Sequence, residues 1–307
     1  MGIFQHIIDK FFASWTIRGG TITGLLVTVL LSLIMIILNA FFWISRVIFP
    51  ESGYNIDNFV NLLAIPILVV LCHSLFLLGI LYDAGDSEVL EIQYTKMKIK
   101  IDVQNIWKRL EKGQSGKIPV LIITLYFLGL VSFNLGQGIH SAADFLNSRA
   151  IDLDIKALRP EYYQHVWFLD EVVGHWFAYT GFWMMIFVLG FMNLRIPSKR
   201  EMNRSMWIIL VLVTLSLGGF LWVLFALEGE YGFWSLGIAV VYISYFGLEL
   251  HKLSKNSSYS AQNFPVVWFL VLFFFFSIPV LLIVFMISGG KFIQPSDIFK
   301  AVCCQLD

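Results

Sequence analysis

Seven stretches of about 20 or more predominantly apolar residues constrain this chain more than any other feature of its sequence. They fall near residues 22–46, 59–82, 118–140, 171–193, 206–227, 231–250 and 264–288. An α-helix rises ~1.5 Å per residue, so each stretch is long enough to cross the ~30 Å hydrocarbon core of a bilayer. The sequence therefore predicts an all-α, polytopic membrane protein, built as a bundle of about seven transmembrane helices.

The composition of the chain supports that class. Of 307 residues, 58% are hydrophobic and 14% are charged, and the mean hydropathy is +0.77. These values lie outside the range of soluble globular domains. The 21 basic residues equal the 21 acidic residues in number, so the chain has no basic excess of the kind that binds nucleic acid. We therefore expect membrane lipids as partners, and other membrane subunits in one alternative, but no nucleic acid.

Three regions follow from the pattern of apolar and charged residues. Apolar residues recur at helical spacing in residues 3–17, so we predict an interfacial amphipathic helix over residues 1–20. A seven-helix transmembrane domain then covers 21–290, and 291–307 form a C-terminal tail. With the N-terminus in the cytoplasm, 15 of the 21 Lys and Arg residues lie on the inner side. This bias predicts a cytoplasmic N-terminus and a non-cytoplasmic C-terminus.

Polar residues are concentrated where the third predicted span ends and the fourth begins. His140 and Asp144 are four residues apart in one span, and Glu171 and His175 are four apart in the next. Residues at i and i+4 share one face of a helix, so each span can direct an imidazole and a carboxylate to the same place. Ionisable groups avoid the lipid face of a membrane protein, so we expect these groups to face inward at the outer membrane boundary.

Two imidazoles and two carboxylates from facing helices suit a divalent metal ion, with zinc favoured over iron or manganese. Such an ion lowers the pKa of bound water to near 7 and so supplies a hydroxide nucleophile. The candidate residues are His140, Asp144, Glu171 and His175 as metal ligands, with Asp170, Glu228 and Tyr179 as acid/base or oxyanion partners. Gly136, Gly138 and Gly174 would let the two helices approach closely.

Two other interpretations use the same residues differently. In one, the polar groups form a hydrogen-bonded network that locks helices together in a non-catalytic subunit of a larger membrane complex. In the other, the carboxylates relay ions or protons in a coupled carrier. His165 differs in angular position from Glu171 and His175, so we expect it to be solvated. The Arg159-Pro160-Glu161 sequence predicts that the fourth helix begins near Pro160 and stands out of the membrane.

The layout of seven spans with a His/carboxylate site near one face resembles the membrane hydrolase superfamily that contains alkaline ceramidases and adiponectin receptors. Those proteins combine a Ser and a His of an early span with an Asp and a late HxxxH motif. The seventh predicted span here has no HxxxH, so no residue is carried over from them. We predict a membrane-embedded, metal-dependent hydrolase of a lipid or lipid-linked substrate.

Overall fold

The computed structural model describes residues 117–152, 159–198, 201–228, 231–256 and 260–292. Within these ranges the chain is almost entirely helical and contains no strand. The first two predicted spans, the interfacial helix over 1–20 and most of the tail lie outside the described residues.

Seven α-helices follow one another in the described part of the chain. Two π-helical segments interrupt them without a break in the chain, Phe168–Gly174 between α2 and α3 and Leu217–Leu221 between α4 and α5. A 3₁₀ turn, Ala261–Asn263, precedes α7. The α-helices are α1 (Lys117–Asp152), α2 (Pro160–Trp167), α3 (His175–Arg195), α4 (Arg204–Ser216), α5 (Trp222–Glu228), α6 (Gly232–Asn256) and α7 (Pro265–Ile287).

Four helices are long and apolar enough to cross a membrane. They are Val120–Ala143, Pro160–Arg195, Gly232–Leu253 and Pro265–Ile287, and Arg204–Gly219 is a shorter apolar helix. The prediction of an all-α, multi-pass membrane protein is confirmed to this extent. The predicted helix start is also confirmed, because Pro160 occupies the first turn of α2.

The helix that runs from Pro160 to Arg195 is the central one. Of its apolar window, 67% is buried, against 22% for Val120–Ala143 and 28% for each of the other two long helices. On one side it packs along α1, and elsewhere it contacts α7 and α6. The environment of α3 therefore differs from one face to the other.

Asparagine side chains fix the ends of α3 and α7 at the same level. The Asn193 Oδ1 atom accepts hydrogen bonds from the backbone N–H groups of Val266 and Val267, at 3.1 and 3.4 Å. Asn263 donates from Nδ2 to the carbonyl oxygen of Ser198 at 2.9 Å. These bonds satisfy backbone groups at a helix end that would otherwise have no partner. We call this the loop end of the bundle.

At the opposite end, α1 and the Pro160–Arg195 helix project beyond their neighbours. The first residues of α6 lie level with Trp176, whose ring centroid is 5.4 Å from that of Tyr231. The two projecting helices have 36 residues each, whereas α6 has 25 and α7 has 23. At ~1.5 Å per residue, the residues beyond this level extend roughly 20 Å past the other helices. We call this extension, residues 141–152 and 160–174, the overhang.

Candidate functional site

Glycines bring the backbones of α1 and α3 into direct contact. A Cβ atom on Gly136 would lie 2.2 Å from the backbone nitrogen of Ala178, and one on Gly181 would lie 2.3 Å from that of Phe133. Neither position can hold a side chain unless one helix moves. Close backbone approach at small residues is the usual way in which helices associate within membranes.

Two further glycines complete this contact, which we call the glycine seam. A Cβ atom on Gly129 would lie 2.8 Å from the carbonyl oxygen of Gly181, and one on Gly174 would lie 2.9 Å from the Cβ atom of His140. Gly136 and Gly174 thus make the predicted close approach. The same prediction is wrong for Gly138, where an added Cβ atom would meet nothing within 4 Å. Gly138 lies on another face of α1, 200° from Gly136 at 100° per residue.

Asp170 and His175 are brought to one side of their helix within the first π segment. Backbone i→i+5 bonding gives about 4.4 residues per turn, or roughly 80° per residue. Asp170 and His175, five residues apart, would lie ~140° apart on an α-helix but only ~50° apart on a π-helix. Asp170 therefore shares the α1-facing side with His175 and is only 2% exposed. The buried positions Val166, Asp170, Gly174 and Ala178 recur every four residues, which is wider than the repeat of an α-helix.

Asp170 faces His140 across the two helices. The Nδ1 atom of His140 lies 2.6 Å from Oδ1 of Asp170, although the two groups are not aligned for a hydrogen bond. A carboxylate oxygen only accepts, so at this distance the Nδ1 atom of His140 must carry its hydrogen. Gly174 allows this contact because His140 packs against it without an intervening side chain.

His175 lies beside His140, and its orientation is fixed by its own helix. The two imidazole centroids are 4.5 Å apart, with the ring planes tilted by 39°. The Nδ1 atom of His175 donates a hydrogen bond to the backbone carbonyl of Glu171 at 2.8 Å. The Oε2 atom of the Glu171 carboxylate is farther away, 3.9 Å from the same nitrogen. The backbone of Glu171, rather than its carboxylate, therefore orients His175.

Aromatic rings continue the cluster into the bundle. The ring of Tyr179 stacks on that of His175 at 5.3 Å, with 20° between the planes. Tyr179 in turn makes edge-to-face contacts with Trp222 at 5.1 Å and with Tyr231 at 5.3 Å. The column of rings connects the polar cluster at the end of the bundle to its aromatic core.

The two histidines share one feature of chemical consequence. Each has an oxygen close to Nδ1, the carboxylate of Asp170 for His140 and the carbonyl of Glu171 for His175. In a neutral ring the lone pair is then on Nε2. Histidines that bind metals or accept protons are commonly held by just such partners on the second nitrogen.

The other predicted site residues are only partly described. Asp144 lies in α1, one turn beyond His140, and Glu228 ends α5. The side chains of both lie outside what the structure describes. Among the side chains that are described, no group of three or more His, Cys, Asp or Glu residues is arranged to hold a metal ion. The predicted ligand set therefore stays a prediction.

His165 lies away from the cluster, as expected. It is exposed on α2, and its Nδ1 atom donates to the carbonyl oxygen of Glu161 at 2.6 Å. This local bond resembles the bond of His175 to Glu171, but no second helix approaches it with an ion-pair partner among the described residues. His165 therefore serves as an internal reference for the two clustered histidines.

Comparison of the chain with models of protein families, with curated proteins and with solved structures gives no match. Its function must therefore be argued from the geometry of this cluster.

Proposed function

We propose that this chain is a membrane-embedded, metal-dependent enzyme, a hydrolase that acts on a lipid or lipid-linked substrate. One observation carries the proposal. Two histidines from different helices lie side by side, and each has its Nδ1 atom held by an oxygen. The lone pairs of the neutral rings are then on Nε2, the nitrogen that a metal ion or a reacting proton would use.

The separation of the two rings fits a shared metal ion. Imidazoles bound at ~2 Å to a single ion have centroids about 5 Å apart, close to the observed 4.5 Å. His140 and His175 would bind through Nε2, with Asp144 and Glu171 as carboxylate ligands. When bound, a divalent ion, with zinc favoured over iron or manganese, supplies a hydroxide near neutral pH.

The remaining residues of the cluster orient these groups. Asp170 is buried, and its charge holds the hydrogen of His140 on Nδ1. Tyr179 stacks against His175 and restricts the position of that ring. In the proposal, Asp170 or Glu228 acts as acid or base toward the substrate, and Tyr179 stabilises an oxyanion.

The level of the cluster in the bundle favours a particular kind of substrate. His175 comes immediately before Trp176, which is level with the first residues of α6. A lipid in the surrounding bilayer would present its headgroup linkage there, and its acyl chains would lie deeper. We therefore propose a substrate whose reacting ester, amide or phosphoester bond lies near the headgroup.

The proposal assumes a topology that includes the residues outside the described ranges. We propose seven spans, preceded by an interfacial helix over residues 1–20, with the N-terminus cytoplasmic and the C-terminus non-cytoplasmic. The inner segments then carry 15 of the 21 basic residues. On this topology the cluster faces the non-cytoplasmic side.

Metal analysis of the purified protein tests the proposal. We expect a stoichiometric divalent metal in the unmodified protein and its loss in both His140→Ala and His175→Ala. His165→Ala is the matched control, because it removes the same kind of local Nδ1 bond from an exposed position and should retain the metal. Absence of metal from the unmodified protein, after purification in metal-supplemented buffer, would refute the proposed function.

A second candidate, a non-catalytic subunit, is favoured by the position of the cluster at the end of the glycine seam. Gly174 belongs both to the seam and to the contact with His140, so in this function the contact of His140 with Asp170 locks α1 to its partner helix. In that case His140→Ala would lower stability without any metal being lost. The coupled-carrier alternative lacks such support. The buried Asn193 and Asn263 near the loop end form hydrogen bonds to backbone groups, so they do not extend a polar path from the cluster.

A further inference from the structure

Helices α3 and α6 run in the same direction toward the loop end. The ring centroid of Trp176 lies 5.2 Å from that of Trp234, near the start of each helix. Eleven residues later in both helices, the ring of Phe187 lies 5.6 Å from that of Tyr245. The two helices are therefore parallel, and positions equally far along them lie at the same level.

Two cations occupy matching positions near the ends of these helices. Arg195 is eight residues beyond Phe187, and Lys252 is seven beyond Tyr245, or about 12 and 10 Å along the helix axes. Tyr245 and Lys252 differ by only ~20° around α6, so they share one face of it. The charges of Arg195 and Lys252 both reach the hydroxyl of Tyr245. The two cations therefore lie on the same side of the contact between α3 and α6 as this hydroxyl.

Both cations retain hydrogen-bond donors for an anion. The guanidinium Cζ atom of Arg195 lies 5.3 Å from the ring centroid of Phe191, a contact that uses the face of the group and not its N–H donors. Among the described residues, no carboxylate pairs with Arg195. Lys252 donates to Oε1 of Glu249 at 2.7 Å, which uses one of its three ammonium hydrogens. An anion from outside the protein would therefore find several donors here.

The surface of α6 beside these cations suits lipid chains. Val241 and Leu248 are each more than half exposed, and both fall within ~40° of Lys252 around the helix. A ligand that lies along this face would meet apolar side chains toward the middle of the bundle and a cation at the loop end. A phospholipid has the same arrangement, with acyl chains behind a phosphate.

We propose that Arg195, Tyr245 and Lys252 bind the phosphate of an anionic phospholipid, whose acyl chains lie along Val241 and Leu248. A guanidinium can donate to two phosphate oxygens at once, and the ammonium and the phenol each donate a further hydrogen bond. In the proposed topology the loop end faces the cytoplasm, where anionic lipids are concentrated in the adjacent leaflet. The site lies at the opposite end of the bundle from the histidines, so this inference does not depend on the proposed enzymatic function.

Native mass spectrometry of the full chain in detergent micelles, titrated with phosphatidylglycerol, tests the proposal. Arg195→Gln should raise the Kd for this lipid at least ~5-fold, and Lys252→Gln ~3-fold. Arg195→Lys keeps the charge but not the paired donors, so its Kd should fall between those of the unmodified protein and Arg195→Gln. Glu249→Gln removes the carboxylate that competes for Lys252 and should lower the Kd. Phosphatidylcholine should bind more weakly.

Arg204→Gln is the matched control. Arg204 is exposed at the same end of the bundle, but it begins α4, which packs against α7, and its substitution should leave the Kd unchanged. Equal effects of Arg204→Gln and Arg195→Gln would mean that the general positive charge of this end attracts the lipid, and would overturn the proposal. A Kd that neither Arg195→Gln nor Lys252→Gln alters would also overturn it. So would displacement of the lipid by an equal concentration of inorganic phosphate, because the site would then select the free ion.

Discussion

The two faces of α3 are packed in opposite ways. Toward α1, Gly174 and Gly181 bring backbone against backbone, with no room for a Cβ atom. Toward the rest of the bundle, Trp183 packs edge-on to Trp222 and tilted against Phe274, each at 4.6 Å between ring centroids. On the same side, the hydroxyl of Tyr242 donates to the carbonyl oxygen of Trp183 at 2.6 Å.

The contrast follows from how helices associate in a bilayer, where an apolar side chain gains little by moving from lipid into a protein interior. Close packing then supplies the attraction, either through backbones in contact or through large interlocking rings. Rings can change rotamer and repack, whereas a backbone contact is fixed once the helices have met. We call the side of α3 that meets α1 at Gly174 and Gly181 the backbone face. The histidine cluster lies on it, so His140 and His175 are held by the least adjustable part of the structure. A site that needs fixed geometry is best supported there.

The largest effect should come from placing a side chain in the glycine seam. Gly136→Val puts atoms where the backbone of Ala178 already lies, so α1 must separate from α3. We expect the free energy of unfolding to fall by at least ~3 kcal/mol. Unfolding in mixed micelles of increasing SDS content measures it.

Gly138→Val is the matched control for that substitution. The site is two residues away on the same helix, with nothing within 4 Å of an added Cβ atom. Its free energy of unfolding should stay within ~0.5 kcal/mol of the unmodified protein, because valine is no poorer a helix former than glycine and the added side chain meets no neighbour. Equal losses for the two variants would mean that the seam has no special part in the stability of α1.

A smaller effect is expected on the aromatic face. Trp183→Ala removes a buried ring that contacts Trp222 and Phe274, but its neighbours can relax into the space. We expect the free energy of unfolding to fall by about 2 kcal/mol. This is below the 3–5 kcal/mol typical of the cores of soluble proteins, because a side chain gains less by moving into the protein from lipid than from water. The same SDS titration measures it, and Trp234→Ala, at a half-exposed ring, should cost less. A loss at Trp183 larger than at Gly136 would reverse the proposed contrast between the faces.

Much of this arrangement follows from sequence patterns alone. Apolar stretch length predicted the long helices, and proline at a first turn predicted the start at Pro160. The spacing of His140 and His175 near the ends of adjacent spans predicted that these rings would face each other, and their centroids are 4.5 Å apart. These features depend only on the local sequence or on how far along a span a residue lies. A single sequence is therefore enough to predict them.

The carboxylate that meets His140 could not be derived in this way. The angular analysis assumed 100° per residue throughout, which directs Glu171, His175 and Tyr179 along one stripe and leaves Asp170 to the side. The π segment at Phe168–Gly174 narrows the angle between Asp170 and His175, and Asp170 lies against His140 of α1. The segment ends at Gly174, which packs against His140 of the neighbouring helix, a contact that no local pattern contains. Gly129 and Gly181 were not identified as contact positions for the same reason, because their close approach depends on the neighbouring helix and not on the local sequence.

The smallest effect should separate the two carboxylates beside the histidines. Asp170→Asn keeps the shape of the side chain but removes the charge that faces His140 at 2.6 Å, and should cost about 1 kcal/mol. Glu171→Gln should cost less than ~0.5 kcal/mol, because the backbone carbonyl of Glu171, and not its carboxylate, orients His175. A double-mutant cycle of Asp170→Asn with His140→Gln should give a coupling energy of at least ~0.5 kcal/mol. If Glu171→Gln proves the costlier change, side-chain charge rather than backbone holds the cluster, and the backbone face has no special part in positioning it.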